Sequence, residues 1–119
     1  MRAVIAAAAV ILTSPVAVAD DIQDAHRQAL AGRDSYWNCL AERYAGVGNQ
    51  TMSGQDFALY LGGVCPSERQ NFRVMLVDYL NLQFPSVDAG THLATANNAI
   101  ELAQKDIVTT YLKKKADLK

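Results

Sequence analysis

The sequence predicts an all-α fold: a small four-helix, bundle-like domain with a disulfide-closed helical hairpin. Three observations lead there. Apolar residues recur three and four apart in four separate stretches, and no stretch alternates with the period of two that a strand requires. Clusters rich in Gly, Pro, Ser and Asn divide the four stretches. The two cysteines of the 119-residue chain, Cys39 and Cys65, fall on the apolar faces of consecutive predicted helices, and two cysteines allow a single intramolecular pairing.

Residues 1–19 read as a signal peptide and residues 20–119 as one helical domain. Arg2 provides the positive start, Ala3 to Leu12 a short apolar run, and Ala17-Val18-Ala19 a small-residue cleavage site. The run is too short to span a bilayer. Asp20, not a cysteine, follows the cleavage site, so a bacterial lipid anchor at a new N-terminus is not indicated. The expected destination is the bacterial periplasm, or the medium, where cysteines pair. For a loop of this size the chain-entropy model gives the Cys39–Cys65 bond about 3.5 kcal/mol.

Asp20, Asp21 and Asp24 open a helical pattern at the end where acids suit the helix dipole. Gly32 and Asp34-Ser35 are expected to interrupt or kink it. From Tyr36 the spacing sharpens, with Cys39, Leu40, Arg43, Tyr44 and Val47 on one face of a first helix that ends near Ala45. Gly46 to Thr51 form a loop. Ser53 caps a second helix whose face carries Phe57, Leu61, Val64 and Cys65. Pro66 and the Ser67-x-x-Gln70 capping box start a third, with Phe72, Met75, Leu76, Tyr79 and Leu80 inward. Its wide apolar surface predicts the most buried helix of the set, and Phe84-Pro85 stops it. Thr91 caps a fourth helix over about 92–114. Its seam is Ala89, Leu93, Ala96, Ile100, Ala103, Ile107 and Thr110, ending at Lys113-Lys114-Lys115, where cations suit the dipole.

The net charge of −1 leaves no basic footprint for nucleic acid. No apolar stretch after residue 19 is long enough for stable membrane insertion. G-x-S-x-G, H-E-x-x-H and phosphate-cradling Gly-rich loops are absent. His26, beside Asp20, Asp21 and Asp24, lacks the further ligands that a metal site needs and reads as part of a solvated acidic end. His92 reads as an exposed histidine at a helix start. Glu42, Glu68 and Glu101 lie on separate helices and read as surface charges unless a cleft brings them together. No catalytic residue, cofactor or metal is therefore predicted. Tyr36, Tyr44 and Tyr79 fit core faces. Trp37 and Tyr60 fall off them and, with Asn49 and Gln50 of the loop, are candidate partner contacts; packing against the fourth helix is the competing reading.

The pattern Tyr36-x-x-Cys39-Leu40-x-x-x-Tyr44, a turn, then Val64-Cys65-x-x-Glu68 and a further helix resembles short exported two-cysteine helical proteins of Gram-negative, alphaproteobacteria-like bacteria. That resemblance implies a disulfide-closed hairpin and supplies no activity. Cys65-Pro66, Val77-Asp78-Tyr79-Leu80, Pro85 and an Ala-rich helix are more distantly similar to periplasmic immunity proteins against type VI secretion effectors, although the extra cysteines of that family are missing here.

The function these observations predict is a non-enzymatic periplasmic interaction module, binding a protein or a small ligand. An immunity or inhibitor protein, plugging an effector enzyme with the Gly46–Gly54 loop, is the alternative; a small hydrolase using carboxylates is the second. A bundle this small hides its seams poorly, so a homodimer through helix 4 is also expected.

Overall fold

The computed structural model describes residues 14–47 and 52–117. They form four helices and no strand: α1 Ser14–Val47, α2 Gly54–Gly63, α3 Pro66–Gln83 and α4 Ala89–Asp117. Among the described residues no helix is long and apolar enough to cross a membrane. The apolar run at 3–12, on which the expected signal peptide rests, lies outside them, as do Asn49 and Gln50.

α1 runs unbroken through Gly32 and Asp34-Ser35, against the expected interruption. The reason is packing. A Cβ at Gly32 would stand 3.2 Å from the Cα of Phe72, so this glycine lets the α3 backbone approach α1 closely. Helix propensity is surrendered there in exchange for close contact along α3, the main partner of α1.

α2 starts as the sequence indicates: the Ser53 hydroxyl accepts the Asp56 N–H at 3.1 Å. It packs chiefly on α4, and Phe57 also meets Tyr44 of α1 with ring centroids 6.1 Å apart. The disulfide accordingly joins α1 to the residue just before α3, with Cα atoms 6.2 Å apart. Cys65 is past the end of α2 and holds a left-handed conformation, φ 56°. The ring of Pro66 bars the right-handed helical region at the residue before it, and the turn at Cys65 redirects the chain.

α3 begins at Pro66, whose missing N–H costs nothing at a helix start. The Ser67–Gln70 capping box does not form; Gln70 instead accepts a hydrogen bond from Arg73. Only Phe72 and Leu80 of this helix are buried, so it is not the most buried element.

α4 takes that place, burying His92, Ala96, Ile100, Ala103, Ile107 and Tyr111. The expected seam holds in the middle and fails at both ends, where Ala89, Leu93 and Thr110 are exposed. A straight helix drifts away from a strict heptad stripe, and His92 and Tyr111 occupy the drifted positions. Asp88, not Thr91, caps α4. Its carboxylate accepts the Thr91 hydroxyl at 2.8 Å and the Thr91 N–H at 3.0 Å, and these bonds hold its pKa below the ordinary carboxylate value.

His92 is also corrected, from exposed to 3 % exposed. Its Nε2 lies 3.0 Å from the Phe84 carbonyl, an acceptor, so this nitrogen carries the proton and seals the α3–α4 turn. At the far end of the core, Phe57 of α2 stacks on Tyr111 with ring centroids 4.2 Å apart. Tyr36, Leu40, Leu61, Cys65, Phe72, Ile100, Ala103 and Ile107 complete the cluster. The Tyr111 hydroxyl and the Lys115 ammonium both donate to the Met52 carbonyl, at 2.7 and 2.8 Å. Lys115 is thus bound to the fold, while Lys113 and Lys114 are exposed.

Candidate binding groove

α3 and α4 run antiparallel, and this sets a polar groove between them near the end of α2. Arg69 and Arg73 lie one turn apart on α3; Asn97, Glu101 and Gln104 follow at four and three residues on α4, so each set shares a face. With Gly62 and Ile100 they line a groove of about 430 Å³.

The two guanidiniums are held from behind. Arg69 donates through one terminal nitrogen to the carbonyls of Gly62, at 2.8 Å, and Val64, at 3.1 Å. These carbonyls belong to the last turn of α2 and to its C-cap, where no intrahelical donor reaches them. Arg73 donates through Nε to the Asn97 side-chain carbonyl at 2.8 Å, and through a terminal nitrogen to Gln70. Gln104 is fixed in turn, its amide donating to the hydroxyl of buried Tyr36 at 2.9 Å. Arg73 reaches across to Asn97, and Arg69 and Glu101, each one turn from that contact on its own helix, line the same groove. Arg69 is nonetheless committed to α2. Among the described residues the ion pairs are Arg27–Asp24 and Arg33–Asp34 on α1, and Glu101 forms none.

The predicted contact residues are not gathered here. Trp37 and Tyr60 are each half-buried and pack on the core, Tyr60 stacking against Phe57 at 6.2 Å. Of the three acids considered for hydrolysis, Glu101 lines this groove with neither Glu42 nor Glu68. Glu68 lies instead beside the Cys39–Cys65 sulfurs, within 4.8 Å. Those sulfurs are bonded to each other and offer no thiolate to a metal. His26 rests against the Tyr79 ring, centroids 4.9 Å apart, and Asp24 is paired with Arg27. A second groove, of about 490 Å³, lies between α1 and α3, lined by Asp21, Asp24, Gln28, Asp78 and Asn81 together with Ala25, Met75 and Leu82.

The arginine groove was missed from sequence. Its signal was available in Arg69-x-x-x-Arg73 and Asn97-x-x-x-Glu101-x-x-Gln104, two polar faces at helical spacing. Set beside protein-family models, curated proteins and solved structures, the chain finds no match.

Proposed function

We propose that the chain is a non-enzymatic binding protein, exported to the periplasm, and that the groove between α3 and α4 is its contact site. The observation that carries this reading is the tethering of Arg69 and Arg73. Each guanidinium is anchored by hydrogen bonds to its own fold and keeps further N–H groups that no described residue takes up. Pre-ordered donors of this kind bind at lower entropic cost than free surface arginines. A disulfide-stapled helical scaffold supports the same role, since the Cys39–Cys65 bond ties the start of α3, which carries both arginines, to α1.

The test is cross-linked capture by the tagged, disulfide-bonded protein from a periplasmic extract of its own source. A partner retained by the wild type and lost by both Glu101→Lys and Arg73→Gln, with the thermal transition unchanged in the first, supports the reading. Equal recovery by all three proteins removes the groove from it. The mass of the recovered bait also reports cleavage after Ala19.

A further inference from the structure

Taking the groove as the binding site, we infer that its ligand is zwitterionic: an amino acid or short peptide whose carboxylate meets Arg69 and Arg73 and whose ammonium meets Glu101. Charges of both signs share one groove without neutralising each other. Arg69 shares the groove with Glu101, yet its guanidinium is committed to the Gly62 and Val64 carbonyls. Arg73 is committed to Asn97 and Gln70. Neither arginine is ion-paired with Glu101, and Glu101 has no other ion-pair partner among the described residues.

A simple anion would gain the arginines and be opposed by Glu101; a simple cation would meet the reverse. A ligand carrying both charges gains from both walls. Bidentate guanidinium contacts suit a carboxylate, and an ammonium is the complementary donor for Glu101. The groove's 430 Å³ is within the range of about 300–1,000 Å³ usual for small-molecule sites. Asn97 and Gln104 act as positioning residues, one steadying Arg73 and the other joining α4 to Tyr36.

The experiment is a ¹⁵N-resolved NMR titration of the full, disulfide-bonded chain with four probes: L-alanyl-L-alanine, its N-acetyl form, its C-terminal amide, and sodium acetate. The free dipeptide should shift the Arg69 and Arg73 Nε–H signals and the Gln104 side-chain amide, with a Kd of about 1 mM. Blocking either end should weaken binding by about tenfold or more, a loss of about 1.4 kcal/mol. In Glu101→Gln, whose exposed position leaves the fold intact, the free and N-acetyl dipeptides should bind alike. Acetate and N-acetyl dipeptide binding as tightly as the free dipeptide would overturn the zwitterion and leave an anion groove standing. No shift with any probe up to about 50 mM would overturn the inference as well. A protein partner captured through the same groove would then still sustain the binding role.

Discussion

Gly32→Ala should destabilise this protein, although the same change in an open helix stabilises. Alanine is favoured over glycine in a helix interior by about 1 kcal/mol. At position 32 the new Cβ would stand 3.2 Å from the Phe72 Cα and 3.4 Å from the Asn71 side-chain nitrogen. Carbon atoms prefer about 3.5–4.0 Å, and the nearer neighbour is backbone, which cannot rotate away. α1 and α3 must therefore part by a few tenths of an ångström, loosening Tyr36 and Phe72, whose rings are 6.4 Å apart. Overpacking of this kind costs about 1–3 kcal/mol, so the net change is a loss of about 0–2 kcal/mol. Gly46→Ala is the control, because nothing stands within 4 Å of its Cβ, and it should gain about 0.5–1 kcal/mol. Urea unfolding followed by far-UV circular dichroism measures both, and Gly32→Leu should lose more than Gly32→Ala. If Gly32→Ala proves as stabilising as Gly46→Ala, the close approach of α1 and α3 is wrong.

The double variant Cys39→Ala/Cys65→Ala should lose about 3.5 kcal/mol, lowering the thermal midpoint by about 15–25 °C; a midpoint matching the wild type would show that the bond carries no stability. Tyr44 buries a hydroxyl with no partner among the described residues, so Tyr44→Phe should gain about 1 kcal/mol. Tyr111→Phe, which removes a donor from the Met52 carbonyl, should lose about 1 kcal/mol in the same denaturant series; the opposite ranking would sink this account. The folded pKa of Asp88 is depressed, so its capping contribution is complete above about pH 4 and disappears as pH falls through the folded value. The acid limb of the stability curve should consequently be flatter in Asp88→Asn than in the wild type, and parallel curves would refute the cap.

Much of the fold was legible in the chain because helix faces follow from spacing. Tyr36, Leu40, Phe57, Leu61, Phe72 and Leu80 are where the three-and-four periodicity puts them, and the cysteines do pair. Pairing of helices was harder to read. Cys65 looks like the next inward position of α2, but its left-handed turn hands it to α3, and that one conformation decides which helices the disulfide joins. Gly32 looks like a breaker because a sequence shows the missing side chain and not the neighbour filling its place. His92 is polar at a helix start, and only the Phe84 carbonyl folded back over it makes burial affordable. The groove was hidden for a related reason: its arginines read as surface charge until α2's carbonyls and Asn97 are seen to hold them still.

The Met52 carbonyl, with Tyr111 and Lys115 both bound to it, has a dynamic consequence. Helix termini ordinarily fray, and amide exchange near them proceeds through small local openings. Here the two side chains tie the last turns of α4 to the chain leading into α2. Fraying and release of α2 become one opening event, so amides around Tyr111 and those around Phe57 should exchange at a common rate. Because the receptor is a backbone oxygen, residue 52 can vary without loosening the clasp, whereas positions 111 and 115 cannot.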